Sequence, residues 1–106
     1  MFDALRLALA LISLLRRILA KIAAKDPDLA RQIRKAASSI PLNLAEGRER
    51  AGRDKVHHYR IAFGSAAEVA AALAVAENWG YVEAEDVVEA LAAIDRIRAM
   101  CWRLTR

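Results

Sequence analysis

The sequence predicts an all-α protein, an up-down-up-down antiparallel four-helix bundle forming one domain over residues 1–106, on three observations. The composition favours helix: 57% of the 106 residues are hydrophobic, and there are only four glycines and two prolines. Apolar residues recur every three or four positions through four stretches, and no alternating strand pattern interrupts them. The breaks "KDPD", "GRERAG" and "NWGY" are short, and short connections make antiparallel neighbours.

The first helix is expected over about residues 3–24. Its bulky residues form two stripes: Leu5, Leu9, Ile12, Leu19 and Ile22, then Leu7, Leu11, Leu14 and Ile18. Only Arg6, Ser13, Arg17 and Lys21 remain as a polar strip, so the helix has to bury more than one face. It is expected to meet both its own bundle and another subunit. It does not read as a membrane segment: the uncharged run over residues 7–15 is far short of the roughly 20 residues a span needs. Arg16 and Arg17 also follow where a leader peptide would be cleaved.

In "KDPD", Asp26 is a natural N-cap and Pro27 suits the first helical position, where its missing N–H costs nothing. The second helix then turns Leu29, Ile33, Ala37, Ile40 and Leu44 inward and carries Arg31, Arg34 and Lys35 on its outer face. Within it lies "SSIPLNLAEG" (38–47). Pro41 removes one donor and crowds the Ala37 carbonyl, which predicts a local kink. Asn43 is costly if buried alone, so it is expected to bond backbone or a polar group of the third helix, Ser65 or Glu68 being nearest. Glu46 is expected to finish the helix end or pair with an arginine, and Gly47 to let the chain turn.

A third helix is expected over about residues 53–78 with Val56, Tyr59, Phe63, Ala67, Ala70 and Leu73 inward. Gly64 and the many alanines would let a neighbour approach closely. Gly80 suits a left-handed residue after the helix. The fourth helix opens on Glu83, Glu85 and Asp86, acids well placed against the positive end of its dipole. Its seam is Val87, Ala90, Ile94, Ile97, Cys101 and Leu104.

Charge is distributed unevenly. The first sixty residues carry 13 Lys and Arg against 6 Asp and Glu, and the remainder carry 4 against 7. That asymmetry suits a polyanion partner or head-to-tail self-association. The bundle topology gathers Arg6, Arg48, Arg50, Arg53, Lys55, Arg103 and Arg106 at one end. Asp26, Asp28, Glu77, Glu83, Glu85 and Asp86 fall at the other. Arg48, Arg50, Arg53 and Lys55 are therefore the leading candidates for contacting the phosphates of RNA or DNA. Arg60, Arg31, Arg34 and Lys35 are further candidates, and the alternative is a solvated charged surface.

Other chemistries find little support. His57 and His58 point about 100° apart on a helix. Asp54 and His58 share a face, but two ligands are too few for zinc. Glu46 and Glu68 lack a nucleophile or cofactor motif beside them, so neither an enzyme nor a cofactor is expected. Cys101, the single cysteine, reads as a buried inert thiol; it excludes an intrachain disulfide and fits a cytoplasmic protein. Tyr59 reads as core. Trp79, Tyr81 and Trp102 fall near helix ends, where they either cap the core or anchor a subunit contact.

Two motifs, "SSIPLNLAEGRER" (38–50) and "RIAFGSAAEV" (60–69), followed by "WGYV" (79–82), resemble the bacterial four-helix-bundle family of proteins encoded in 23S ribosomal RNA intervening sequences. Ser39, Ile40, Pro41, Asn43, Ala45, Glu46, Gly47 and Arg50 match the first motif. Arg60, Ala62, Gly64, Ser65 and Glu68 match the second, whereas Phe63 stands where the family usually has arginine. The resemblance implies a four-helix protomer that forms rings, described as pentamers, and no established enzyme activity. A related group, the accessory variability determinants of diversity-generating retroelements, implies a second partner class: a reverse transcriptase together with nucleic acid.

Overall fold

Four helices form close to the expected bounds: α1 (Asp3–Lys25), α2 (Pro27–Arg48), α3 (Gly52–Asn78) and α4 (Ala84–Leu104). The computed structural model describes residues 2–106, and no strand occurs among them. α1 packs on α2 and α4, and α3 packs on the same two, so the helices stand at the corners of a square. Contacts between late and early residues of neighbours fix the alternating directions. Lys21 reaches Asp86 (2.9 Å), Ser65 reaches Ser39 (2.8 Å), and the Phe63 and Trp102 rings lie 6.2 Å apart.

The helix boundaries have local causes. Asp26 Oδ1 accepts the Leu29 N–H at 3.1 Å, capping α2 with Pro27 in the first turn. Asp86 Oδ2 accepts the Glu83 N–H at 2.8 Å, which satisfies a backbone donor ahead of α4. The Tyr81 hydroxyl donates to Asp26 Oδ2 at 3.1 Å and ties the α1–α2 and α3–α4 loops together. Gly80 (φ +82°) and Gly52 (φ +60°) take left-handed backbone that a Cβ would strain.

The core follows heptad spacing. Ala4, Ala8, Leu11, Leu15, Ile18 and Ile22 are buried on α1; Tyr59, Ala62, Ala66, Val69, Leu73 and Ala76 on α3; Val87, Ala90, Ile94, Ile97 and Cys101 on α4. On α2 the expected Leu29, Ile33, Ala37, Ile40 and Leu44 are all inside. Steps of three and four keep one seam facing the partners, as in bundles with knobs-into-holes packing.

Two expectations need correction here. Of the bulky stripes on α1, Leu11, Ile18 and Ile22 lie in the core seam, whereas Leu5, Leu7, Ile12, Leu14 and Leu19 are half-buried flanks and Leu9 is exposed. Likewise on α3, Val56, Phe63, Ala67 and Ala70 flank a seam made largely of alanine. Alanine at the centre lets the helices close up, and the bulky side chains then fill the edges. Leu104 sits at the margin rather than in the seam.

Within the α2 motif the proline lies inside the helix as expected, and the glycine departs from expectation. α2 runs unbroken through Pro41, which is buried; its missing N–H leaves the Ala37 carbonyl without a helical donor. Gly47 does not turn the chain, because it lies inside α2. A Cβ there would meet Tyr59 Cε1 at 2.8 Å and His58 Cβ at 3.2 Å, so this glycine admits α3 against α2. Gly64 is exposed, with open space where its Cβ would be, so close approach within the protomer is not its role. The helix nearest in length and mean hydropathy to a membrane span is α3 rather than α1, and its buried residues belong to the bundle seam.

Candidate nucleic-acid interface

The polar residues of the α2 motif assemble into one network across α2 and α3. Asn43 Nδ2 donates to the Ser39 carbonyl (2.9 Å) and to Ser39 Oγ (3.0 Å), while Ser65 Oγ donates to Ser39 Oγ (2.8 Å). Asn43 Oδ1 lies 2.9 Å from His58 Nδ1. An amide oxygen only accepts, so His58 carries its proton on Nδ1. Asn43 thus bonds backbone and α3 as expected, but its α3 partner is His58; Ser65 is reached through Ser39, and Glu68 is exposed on α3. Each half-buried bond contributes about 0.5–1.5 kcal/mol net. The network clamps the helices that carry the basic loop.

At the basic end Arg6 pairs with Asp3 on α1, and the cations on and around the α2–α3 loop and the end of α4 fall into three groups. Arg50 is committed internally: it bonds Glu46 through Nε (2.9 Å) and Asp54 through Nη1 (3.1 Å), and Glu46 and then Asp54 raise its pKa. Two carboxylates around one guanidinium leave no local positive excess. A second group is stacked: Arg48 lies 5.1 Å from the centre of the Phe2 ring, and Arg106 lies 4.9 Å from that of Trp102. Arg53, Lys55 and Arg60 form the third group, with no carboxylate in ion-pair range among the described residues. Arg53 and Arg60 are exposed and Lys55 is half-exposed.

The structure does not bring every candidate together. Arg31 pairs with Asp28 near the opposite end (2.6 Å), and Arg34 and Lys35 lie between the ends on the exposed side of α2. Asp54 and His58, which share a face of α3, are taken by Arg50 and Asn43 respectively. Tyr59 is buried, and that burial raises its pKa. The Cys101 thiol is buried and pushed up to about 11 by desolvation, which removes it as a nucleophile near neutral pH.

Sequence reasoning missed the role of His58 and a second cationic feature on α4. Arg98 lies 5.1 Å from the Phe63 ring centre, so a guanidinium stands over the residue that replaces the usual arginine. The spacing of Arg98, Trp102 and Arg106, four and four, was the available signal.

A family model described as 23S rRNA-intervening sequence protein matches residues 2–103. Among solved structures, the chain is similar to a crystal structure of a protein with unknown function from the S23 ribosomal protein family of Bacteroides thetaiotaomicron. The two share 16% identity with a TM-score of 0.87, over 98% of this chain and 99% of that one. No curated protein matches the sequence.

Proposed function

The chain belongs to the 23S rRNA-intervening sequence protein family, and from that footing we propose a non-enzymatic oligomeric bundle, assembled as a ring, that holds RNA or DNA by its phosphates at the basic end. The observation that carries this reading is the set of uncommitted cations there. Among the described residues Arg53, Lys55 and Arg60 have no acidic partner, and Arg48 is held by an aromatic ring instead of a carboxylate. Lys and Arg in that state release counterions from a polynucleotide without reading its bases. A ring repeats the patch in every subunit, so individually weak contacts add through effective concentration. The half-buried and exposed leucines along α1, with exposed Leu42 on α2, supply apolar surface for the subunit contact.

Mobility shift of RNA and of DNA at low salt tests the binding, and light scattering tests the assembly. The reading predicts shifted complexes that dissolve as salt rises, and a mass several times that of the protomer. No shift at low salt contradicts the binding, and a monomer at micromolar concentration contradicts the ring.

A further inference from the structure

The α3–α4 face near the basic end carries four side chains in alternating order. Arg98 lies 5.1 Å from the Phe63 ring centre, Phe63 is 6.2 Å from Trp102, and Arg106 lies 4.9 Å from the Trp102 ring centre. Arg98, Trp102 and Arg106 follow one another at single-turn intervals along the chain, and Phe63 enters from α3. Trp102 is 53% exposed, although an indole of this size usually finds cover.

The two arginines stand outside any ion pair among the described residues, and Arg98 Nε is buried with no acceptor. Arg60 adds a third uncommitted cation one turn before Phe63 on α3. A guanidinium stacked on a ring is held in orientation while its terminal N–H groups stay available to a phosphate. The half-exposed indole, with Arg106 over its ring and Phe63 beside it, offers its remaining open surface to a base among cations.

We propose that this ladder is a binding track for single-stranded polynucleotide, with a base stacked on Trp102 and flanking phosphates held by Arg98, Arg106 and Arg60. The inference rests on the polyanion reading above and narrows it, because paired bases in a duplex cannot open onto an indole. The second aromatic pair provides the contrast. Trp79 and Tyr81 stack at 6.4 Å, but the Tyr81 hydroxyl is bonded to Asp26 and the surrounding end is acidic. That pair repels a phosphate chain, although Trp79 is the more exposed indole.

The chain has two tryptophans, so each can be read alone by fluorescence. Trp79→Phe leaves Trp102 as the reporter and Trp102→Phe leaves Trp79. Titration at low salt with a short oligouridylate, with the matching oligothymidylate, and with duplex RNA of the same length compares the three ligands. The proposal expects quenching of Trp102 by at least one single strand and none of Trp79, the uridylate and thymidylate arms showing which sugar is accepted. It also expects Trp102→Ala to weaken single-strand binding roughly five- to hundredfold with duplex affinity little changed. Duplex and single strand binding equally with Trp102 silent overturns the track and leaves the polyanion reading standing; no binding of any ligand overturns both. A Trp102 signal that follows protein concentration and ignores the oligomers also overturns it, assigning this face to contact between copies.

Discussion

The two ends of the bundle use charge in opposite ways. At the acidic end, carboxylates are built into the fold: Asp26 caps α2 and accepts from Tyr81, and Asp86 binds both the Glu83 N–H and Lys21. At the basic end Arg6 pairs with Asp3 and Arg50 with Glu46 and Asp54, while Arg48 and Arg106 rest on aromatic rings and Arg53, Lys55 and Arg60 have no acidic partner among the described residues. The acids at the acidic end order the chain's own backbone and loops, whereas much of the positive charge at the basic end has no acidic partner among the described residues. A change at one end should therefore cost stability, and a change at the other should cost binding.

The largest expected effect is on binding. Replacing Arg53, Lys55 and Arg60 together by glutamine should lower polynucleotide affinity roughly tenfold or more at low salt, while leaving the melting temperature near that of the parent. Binding isotherms and thermal melts on the same samples check both halves. A large fall in melting temperature would mean that the basic end is structural after all.

Gly47→Ala comes next, and it tests what holds the basic loop in place. Its Cβ would press on the Tyr59 ring at 2.8 Å, so denaturant unfolding should show a loss of about 1–3 kcal/mol from overpacking. Asp26→Ala should cost about 0.5–2 kcal/mol through the lost cap and should not alter polynucleotide affinity. An affinity change in that variant would break the division between the ends.

The smallest effect is a pH dependence at the acidic end. The Glu83 N–H, and then Lys21, hold the Asp86 carboxyl below its ordinary value of 3.8. A depressed folded pKa gives stability that is present above the unfolded value and is lost as pH falls through the folded one. Asp86→Asn should therefore reduce stability near neutral pH and flatten its decline below about pH 4. Urea titrations at several pH values measure that slope in parent and variant.

Much of this was legible in the sequence because caps and breakers act locally. Asp26–Pro27, Gly80 and the acids opening α4 did what their chemistry dictates, and all five residues expected in the α2 seam are buried, with Ala30, Ala36, Pro41 and Gly47 beside them. The α1 and α3 seams were read in part: Leu11, Ile18, Ile22, Tyr59 and Leu73 are buried as expected. Alanine carries little hydrophobic signal, so Ala4, Ala8, Ala62, Ala66 and Ala76 were passed over for bulky flanking residues. Gly47, and not Gly64, is the glycine that a neighbouring helix approaches, for a tertiary reason: only the position of Tyr59 shows which one faces a neighbour. The pairing of Asn43 with His58, and of Arg98 with Phe63, depends on register between helices, which no single-helix pattern contains. Arg50 is the local counter-example: Glu46 and Asp54 lie four residues on either side of it, so its pairing was within reach of the sequence.

The central claim is that the polyanion contacts are confined to the basic end, and the salt dependence of binding tests it most directly. Log affinity against log salt would be measured for the parent, for the Arg53, Lys55 and Arg60 triple variant, and for a Glu77→Gln, Glu85→Gln variant of the acidic end. The account predicts that the triple variant lowers the magnitude of the slope by roughly 2–3, while the acidic-end variant keeps the parent's slope. Equal slopes for the parent and the triple variant would contradict it.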